Sequence, residues 1–473
     1  MQRGVTDLSI LSCFINSFYL VILKKNLTVD IKNKEWKIAM KTQLDPKLPL
    51  LQDADVENKI VLLRVDHNVV KKGVIEDPFR IDQTIGTIFN IVERGGRPII
   101  MTHIGRPRDK AGKIKVDKST AVEPIAEYLE RKLHTKIYCP SFRPEGDEGI
   151  KSIDTSINLA VKNLKEKRIG AIYLPNTRWF TGEESKAEYS DDFARQLAGL
   201  ADVFVNDAFG SWQSHASTCH ITKYLPSFAG YLMQKEIENL SQVLQPERPF
   251  ISVVAGAKYN TKIGPLNEIY KKVDKLILGG IIYNTYLCAK YNISISGIEQ
   301  EDIDAARNLV EMDKEQHKIL ELPYVYESDT MEGKIEGKYR IRSIKEFKKG
   351  AKLPYILDIA KESFEDPEVS DTLNSARTIF INAVMGYTPY FSEGSAALDS
   401  KIDQNAAANK LYGGGDTLQE FKNLCPGLYL STLDNSKYYF FTGGGTVLKA
   451  IEEGTPYGLE AVKALIDNGG KSP

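Results

Sequence analysis

Cysteine is scarce in this chain, with five residues in 473, at positions 13, 139, 219, 288 and 425. Their number is odd, they lie far apart, and none falls in a CxxC or Cys/His spacing. A disulfide framework and a zinc site are therefore not expected, and reduced thiols in a cytoplasmic protein fit best. An excess of one charge is also lacking. The 62 Lys and Arg balance 63 Asp and Glu, for a formal net charge of −1, so the whole molecule would not be drawn to nucleic acid or an anionic membrane. Any anion site must be a local gathering of Arg, Lys and backbone amides. Long apolar runs are missing too. The richest, residues 8–23, is short for a membrane span and is broken by Ser9, Ser12, Asn16 and Ser17. It has neither the basic start nor the small-residue cleavage site of a signal peptide. Residues 1–39 are expected to be an extension outside the core, an appended tail or upstream start with Met40 the first residue of the working protein; an anchor or targeting segment is the alternative. Absent, finally, are the nucleotide-binding loops GxxxxGK[ST] and GxGxxG.

What is present is an ordinary globular composition, 42% hydrophobic and 26% charged. The length is too great for one typical core, which predicts two domains. The organising stretch is residues 60–68, IVLLRVDHN. It opens as a β-branched apolar run, the signature of a buried parallel strand, and closes in Arg64, Asp66, His67 and Asn68. In open α/β sheets ligands sit beyond the carboxyl ends of the strands. A polar turn after a strand is by itself unremarkable, but the pattern repeats. Residues 81–94 show helical spacing through Ile81, Ile85, Ile88, Phe89 and Val92, with Arg80 at the front, where the helix dipole disfavours a cation unless an anion is to be met. Residues 98–102 form a second strand closing in His103 and Arg106. Residues 169–174 form a third, followed by Arg178, and 203–207 a fourth, ending in Asn206 and Asp207. Several cations on one sheet edge, with Asp66 and Asn68, describe a site for a small phosphorylated or carboxylated ligand.

Residues 228–244 predict a long helix, and the prolines of PERP at 246–249 mark a boundary before a strand at 250–254. That strand leads into Gly256, Lys258 and Lys262. Gly256 lets backbone approach a ligand, and the two lysines would share a face if the segment were helical. Residues 328–352 are charge-rich and weakly periodic, a hairpin or loop excursion. A strand at 378–381 precedes Asn382. Gly413, Gly414 and Gly415 open a helix with Asp416 and Thr417, an amide cradle in which Thr417 would act as cap and phosphate donor. Asp416 is out of place at an anion site unless it holds a divalent cation. Gly443, Gly444 and Gly445 open another helix in the same manner.

Taken together, LLRVDHN, HIGRP, LPNTRW, FVNDAFG, AGAKYNTKIG, YGGGDT and FTGGGTVLKAIEEG resemble phosphoglycerate kinases, from about residue 56 to the C-terminus. The resemblance implies an α/β fold of two Rossmann-like lobes with parallel sheets joined by a long helix. It implies an N-lobe at 40–227, a joining helix at 228–245, a C-lobe at 246–454, and a segment at about 455–473 packing back on the first lobe. It also implies transfer of a phosphoryl group between 1,3-bisphosphoglycerate and ADP, giving 3-phosphoglycerate and ATP, with Mg²⁺, in a cytoplasmic monomer. Asp66, Asn68, Arg80, His103, Arg106 and Arg178 would hold the phosphoglycerate. Gly256, Lys258, Lys262, Asn382, Gly414, Gly415, Asp416 and Thr417 would hold the nucleotide, with Asp416 on the metal. Arg80 and Lys262 would reach the transferring group from opposite lobes.

Three departures accompany the resemblance. An Arg usual between two histidines is missing, and Gln213 stands near its place. A Glu that contacts the ribose has no counterpart near Pro389. His67 stands where Phe is usual. Two rival readings follow: a catalytically impaired relative that only binds, and a kinase for another small carboxylic acid.

Overall fold

The computed structural model describes residues 44–184, 187–256, 259 and 262–469; the expected extension at 1–39 and Lys258 lie outside the described residues. The first half is one six-stranded sheet, β1 Ile60–Val65, β2 Arg97–Met101, β3 Ile137–Tyr138, β4 Ala171–Tyr173, β5 Val203–Asp207 and β6 Ser227–Ala229. Its order is β3-β4-β2-β1-β5-β6, parallel throughout. Helices α1 Phe79–Glu93, α2 Glu123–Leu133, α3 Ile157–Lys165 and α4 Ala187–Ala198 run between its strands. Every residue of β1 is buried. Val61, Leu63 and Val65 pack into one core with Ile81, Ile88 and Ile91 of α1, while Ile60 and Leu62 pack into the core of the opposite face. Both faces are covered, so this strand reads as a continuous apolar run rather than an alternation.

Helix α1 differs from its predicted face. Phe89 and Val92 are exposed, and the buried stripe runs through Ile81, Thr84, Ile88 and Ile91. Phe89 sits about 100° around the helix from Ile88, which turns it away from the sheet.

Helix α5, Tyr231–Leu244, joins the halves. It is shorter than the predicted 228–244, because residues 227–229 are taken up as β6 along β5, and extended Gly230 starts the helix. Fourteen residues span about 21 Å. The second sheet contains β7 Phe250–Gly256, β8 Lys275–Gly279 and β9 Ile319–Leu320. An antiparallel excursion follows, β10 Tyr324–Ser328, β11 Tyr339–Ser343 and β12 Tyr355–Ile359, so the charge-rich segment is the hairpin alternative. The main sheet resumes with β13 Thr378–Asn382, β14 Asn409–Gly413 and β15 Tyr438–Phe441, in the order β9-β8-β7-β13-β14-β15, again all parallel. Its helices are α6 Ile263–Lys272, α7 Gly280–Tyr291, α8 Gln300–Gln316, α9 Pro367–Ser375, α10 Glu393–Gln404, α11 Gly415–Leu424, α12 Pro426–Thr432 and α13 Gly444–Glu453. The last helix, α14 Glu460–Asn468, returns to the first sheet. Asn468 donates to the Thr222 hydroxyl at 3.0 Å, and the Glu460 carboxylate accepts from the Ser214 amide at 2.7 Å.

Strand order reverses between β1 and β5 in one sheet and between β7 and β13 in the other. Such switch points leave a crevice at the strands' carboxyl ends. The first lies beside Asp66, the second beside Gly256 and Asn382.

Candidate active site

At the first crevice the loops that follow the strands are tied to one another. The Asn68 side chain accepts from the Gly105 amide at 2.8 Å, and an Arg178 Nη donates to the Gly105 carbonyl at 2.5 Å. Asn176 both accepts from the Ile104 amide and donates to its carbonyl, at 3.0 and 2.8 Å. Asn68, His103, Arg106 and Arg178 thus share one scaffold centred on Gly105. Arg178 is held from its other side by Glu184 at 2.8 Å. Arg106 is exposed beside the same glycine. Asp66, 5% exposed, lies 3.5 Å from Arg80, which enters from the front of α1.

His103 is buried and held neutral. Desolvation pushes its pKa well below the ordinary imidazole value, and Arg64, Arg178, His215 and Arg80 push it further down. Those arginines therefore act on one spot. Arg64 was not among the predicted ligands, although a charged residue inside an apolar strand was the available signal. It is fully buried and donates to Ser217 Oγ at 2.9 Å and to His103 Nδ1 at 3.2 Å. Ser217 in turn donates to buried Glu183 at 2.6 Å. Guanidinium cannot accept a hydrogen bond, so His103 Nδ1 is the acceptor and its proton sits on Nε2. Gln213, near the place of the missing Arg, lines a separate cavity with Trp212, His215 and Lys449.

The second crevice is organised by Lys262. Its ammonium donates to the Ala255 carbonyl at 2.6 Å and to Asn382 Oδ1 at 2.7 Å, bridging the ends of β7 and β13. It immediately precedes α6 as its N-terminal cap residue; the conditional expectation of a face shared with Lys258 falls on residues outside those described. Burial lowers its pKa to about 8, with Asp416 acting in the opposite sense. Asn382 also donates to the Gly413 carbonyl, which fixes its amide. Gly414 has φ +122°, a conformation closed to most side chains, and a Cβ there would sit 3.0 Å from Asn382 Nδ2. Gly414, not Thr417, occupies the cap of α11; Thr417 is buried in its first turn. A Cβ on Gly444 would meet the Cα of Gly414 at 2.4 Å, so the two glycine-opened turns pack backbone to backbone.

A cavity of about 950 Å³ occupies this crevice, lined by Gly256, Lys262, Asn382, Gly414, Asp416 and, from the other half, Arg80. Pro389 and Glu420 line it as well. Amides at a helix start, one desolvated lysine and an arginine arriving from the facing half suit the phosphates of a nucleotide. Asp416 is exposed and is the carboxylate of that turn. Mg²⁺ commonly takes one or two carboxylates with substrate phosphates and water, so these residues fit a nucleotide-borne Mg²⁺. Among the described residues no group of three or more His, Cys, Asp or Glu could hold a metal by itself.

A basic crevice facing an amide-lined crevice, each at the switch point of its own parallel sheet, defines a two-lobed phosphotransferase. Comparison with known proteins agrees with that class. The phosphoglycerate kinase family model matches residues 51–454. The phosphoglycerate kinase of Dictyoglomus turgidum is 33% identical over 421 residues, covering 88% of this chain and 97% of its own. That of Clostridium tetani is 34% identical over 413 residues, covering 85% and 94%. The solved phosphoglycerate kinase of Coxiella burnetii superposes with a TM-score of 0.66 at 29% identity, over 89% of this chain and 99% of its own. That of Pyrococcus horikoshii, at 23% identity and a TM-score of 0.70, shares the fold. The chain belongs to the phosphoglycerate kinase family.

Proposed function

We propose that this chain transfers a phosphoryl group reversibly between 1,3-bisphosphoglycerate and ADP, giving 3-phosphoglycerate and ATP, by the following division of labour. The phosphoglycerate sits at the first crevice. Arg178 and Arg106 meet its phosphate, and Asp66, Asn68 and His103, through Nε2–H, orient its carboxyl and hydroxyl groups. ADP sits at the second crevice, its phosphates against the amides of Gly414 and Gly415, the Thr417 hydroxyl and Asn382, with Gly256 on the same wall; Lys258, which lies outside the described residues, is a further expected nucleotide ligand. Asp416 would hold Mg²⁺, which neutralises charge on the nucleotide phosphates. Phosphoryl transfer asks for in-line placement and charge neutralisation more than for covalent chemistry. Arg80 and Lys262 are the two cations placed to supply it, one from each half. The working unit is a cytoplasmic monomer, and none of the described helices is long and apolar enough to cross a membrane.

The observation that carries the proposal is the cavity shared by Lys262 and Arg80 beneath the Gly414–Thr417 turn. A coupled assay with 3-phosphoglycerate, ATP and Mg²⁺ tests it, and saturable turnover is expected. Binding without turnover would instead favour an impaired, binding-only relative. Turnover confined to another small carboxylic acid would mark a changed acid pocket, for which the neutral Gln213 is the sequence signal.

A further inference from the structure

Helix α1 carries Arg80 and helix α11 carries the phosphate cradle, yet they belong to different sheets. One ion pair connects them. Lys422 Nζ of α11 lies 2.6 Å from Asp77 Oδ2, just ahead of α1. The same ammonium sits 4.8 Å from the centre of the Phe79 ring and 5.0 Å from that of Tyr429. The partners are only 15% and 28% exposed. Among the described residues this is the only ion pair that joins the two halves. The other Asp77 oxygen accepts from the Phe79 amide at 3.1 Å, so the carboxylate is anchored to the start of the helix it clamps. Arg80 follows directly, and one of its terminal nitrogens lies 3.7 Å from where a Cβ on Gly415 would be.

We propose that Asp77 and Lys422 are a positioning pair: their ion pair, seated between the Phe79 and Tyr429 rings, clamps α1 onto α11 and sets Arg80 against the phosphate cradle. The inference rests on the phosphotransferase reading and deepens it. An exposed ion pair would be too weak for this work. This one is partly desolvated and gains attraction from two ring faces, and it acts beside the residues it aligns, where a shift of about 1 Å is costly in rate. Neither partner lines the nucleotide cavity, so losing the clamp lowers turnover and spares ADP binding.

The test uses the full chain with Lys422→Met, Asp77→Asn, the double variant and Lys422→Arg, which keeps charge and ring stacking. Each single neutral variant is expected to lower kcat about five- to tenfold. ADP affinity by calorimetry should stay within about twofold, since the cradle itself is untouched. The double variant should be no worse than either single, as residues acting as a unit are non-additive. Lys422→Arg should retain most of the activity. The ligand-free radius of gyration, from small-angle scattering, should rise in both neutral variants. Wild-type kcat in Lys422→Met and Asp77→Asn, or losses that multiply in the double variant, overturns the proposal. A chain inactive on phosphoglycerate would sink the kinase reading separately. The clamp would then be decided by scattering: an increase in each single variant that is no larger in the double supports it, and no increase overturns it.

Discussion

At the scale of single residues, Lys262 shows how one side chain can be anchored and still available. Two carbonyl-type oxygens hold its ammonium across the crevice, while burial lowers its pKa to about 8. Bound phosphates favour the protonated form. ADP affinity should therefore fall as pH rises above about 8, and calorimetry across pH 7–9.5 should find that slope absent in Lys262→Met. The same variant should lose about 10²–10³ in kcat, the usual effect of removing one donor to developing charge. His67 is the opposite case, a polar residue with a structural task. Thr84 already gives its hydroxyl proton to the Ile81 carbonyl. His67 Nε2–H therefore donates to Thr84 at 2.9 Å, and Nδ1 accepts from the Tyr173 hydroxyl at 2.9 Å. Replacement by the usual Phe would orphan that buried tyrosine, and urea unfolding should show His67→Phe destabilised by about 1–3 kcal/mol. Burial depresses the His67 pKa from 6.5 to about 3. Between those values only the unfolded chain binds the proton, so this residue costs stability as pH falls from 6.5 toward 3.

At the scale of elements, helix α5 is fastened to both sheets by carboxylates. Asp207, at the end of β5, accepts from the Met233 amide at 3.0 Å, and Glu236, inside the helix, accepts from the Thr442 amide at 2.8 Å. Burial raises their pKa values to about 6 and about 7. The side chains of Thr442 and Tyr439 lie beside the same Glu236 carboxylate. For Glu236 the folded value lies above the unfolded value of 4.5, so the folded chain binds the extra proton between pH 4.5 and 7. Its contribution to stability thus falls as pH rises through that window. Glu236→Gln keeps an acceptor for Thr442 and removes the charge. Thermal melts should show it more stable than the parent by about 1–3 kcal/mol at pH 8, with the difference shrinking toward pH 5. The elements were also the most legible part of the sequence. Strands such as residues 203–207 stand where the apolar run predicts them, because a strand buried on both faces leaves an unambiguous pattern. The misread start of α5 has a tertiary cause: residues 227–229 complete a sheet edge, which no local spacing reports.

At the scale of the whole molecule, the chain closes on itself. After the second sheet, α14 buries Val462 and Leu465 and bonds to Ser214 and Thr222 of the first half. The Tyr457 hydroxyl accepts from the Asp45 amide at 2.7 Å. Deleting residues 455–473 should therefore destabilise the first half selectively. Two-probe unfolding, with one reporter in each half, should show the first transition lowered and the second little changed. Coincident transitions shifted equally would show instead that the halves unfold as one unit.

The sequence by itself determined the parallel α/β class, the polar strand ends and the glycine-opened turns, since burial on both faces and positive-φ backbone each leave a local mark. Only the tertiary structure decided which of those residues meet. Arg64 became the partner of His103, Gln213 was placed at a cavity apart from the nucleotide crevice, and Asp77 found Lys422 345 residues away. Such pairings depend on strand order and on the packing of one half against the other, and neither is written in the spacing of neighbours along the chain.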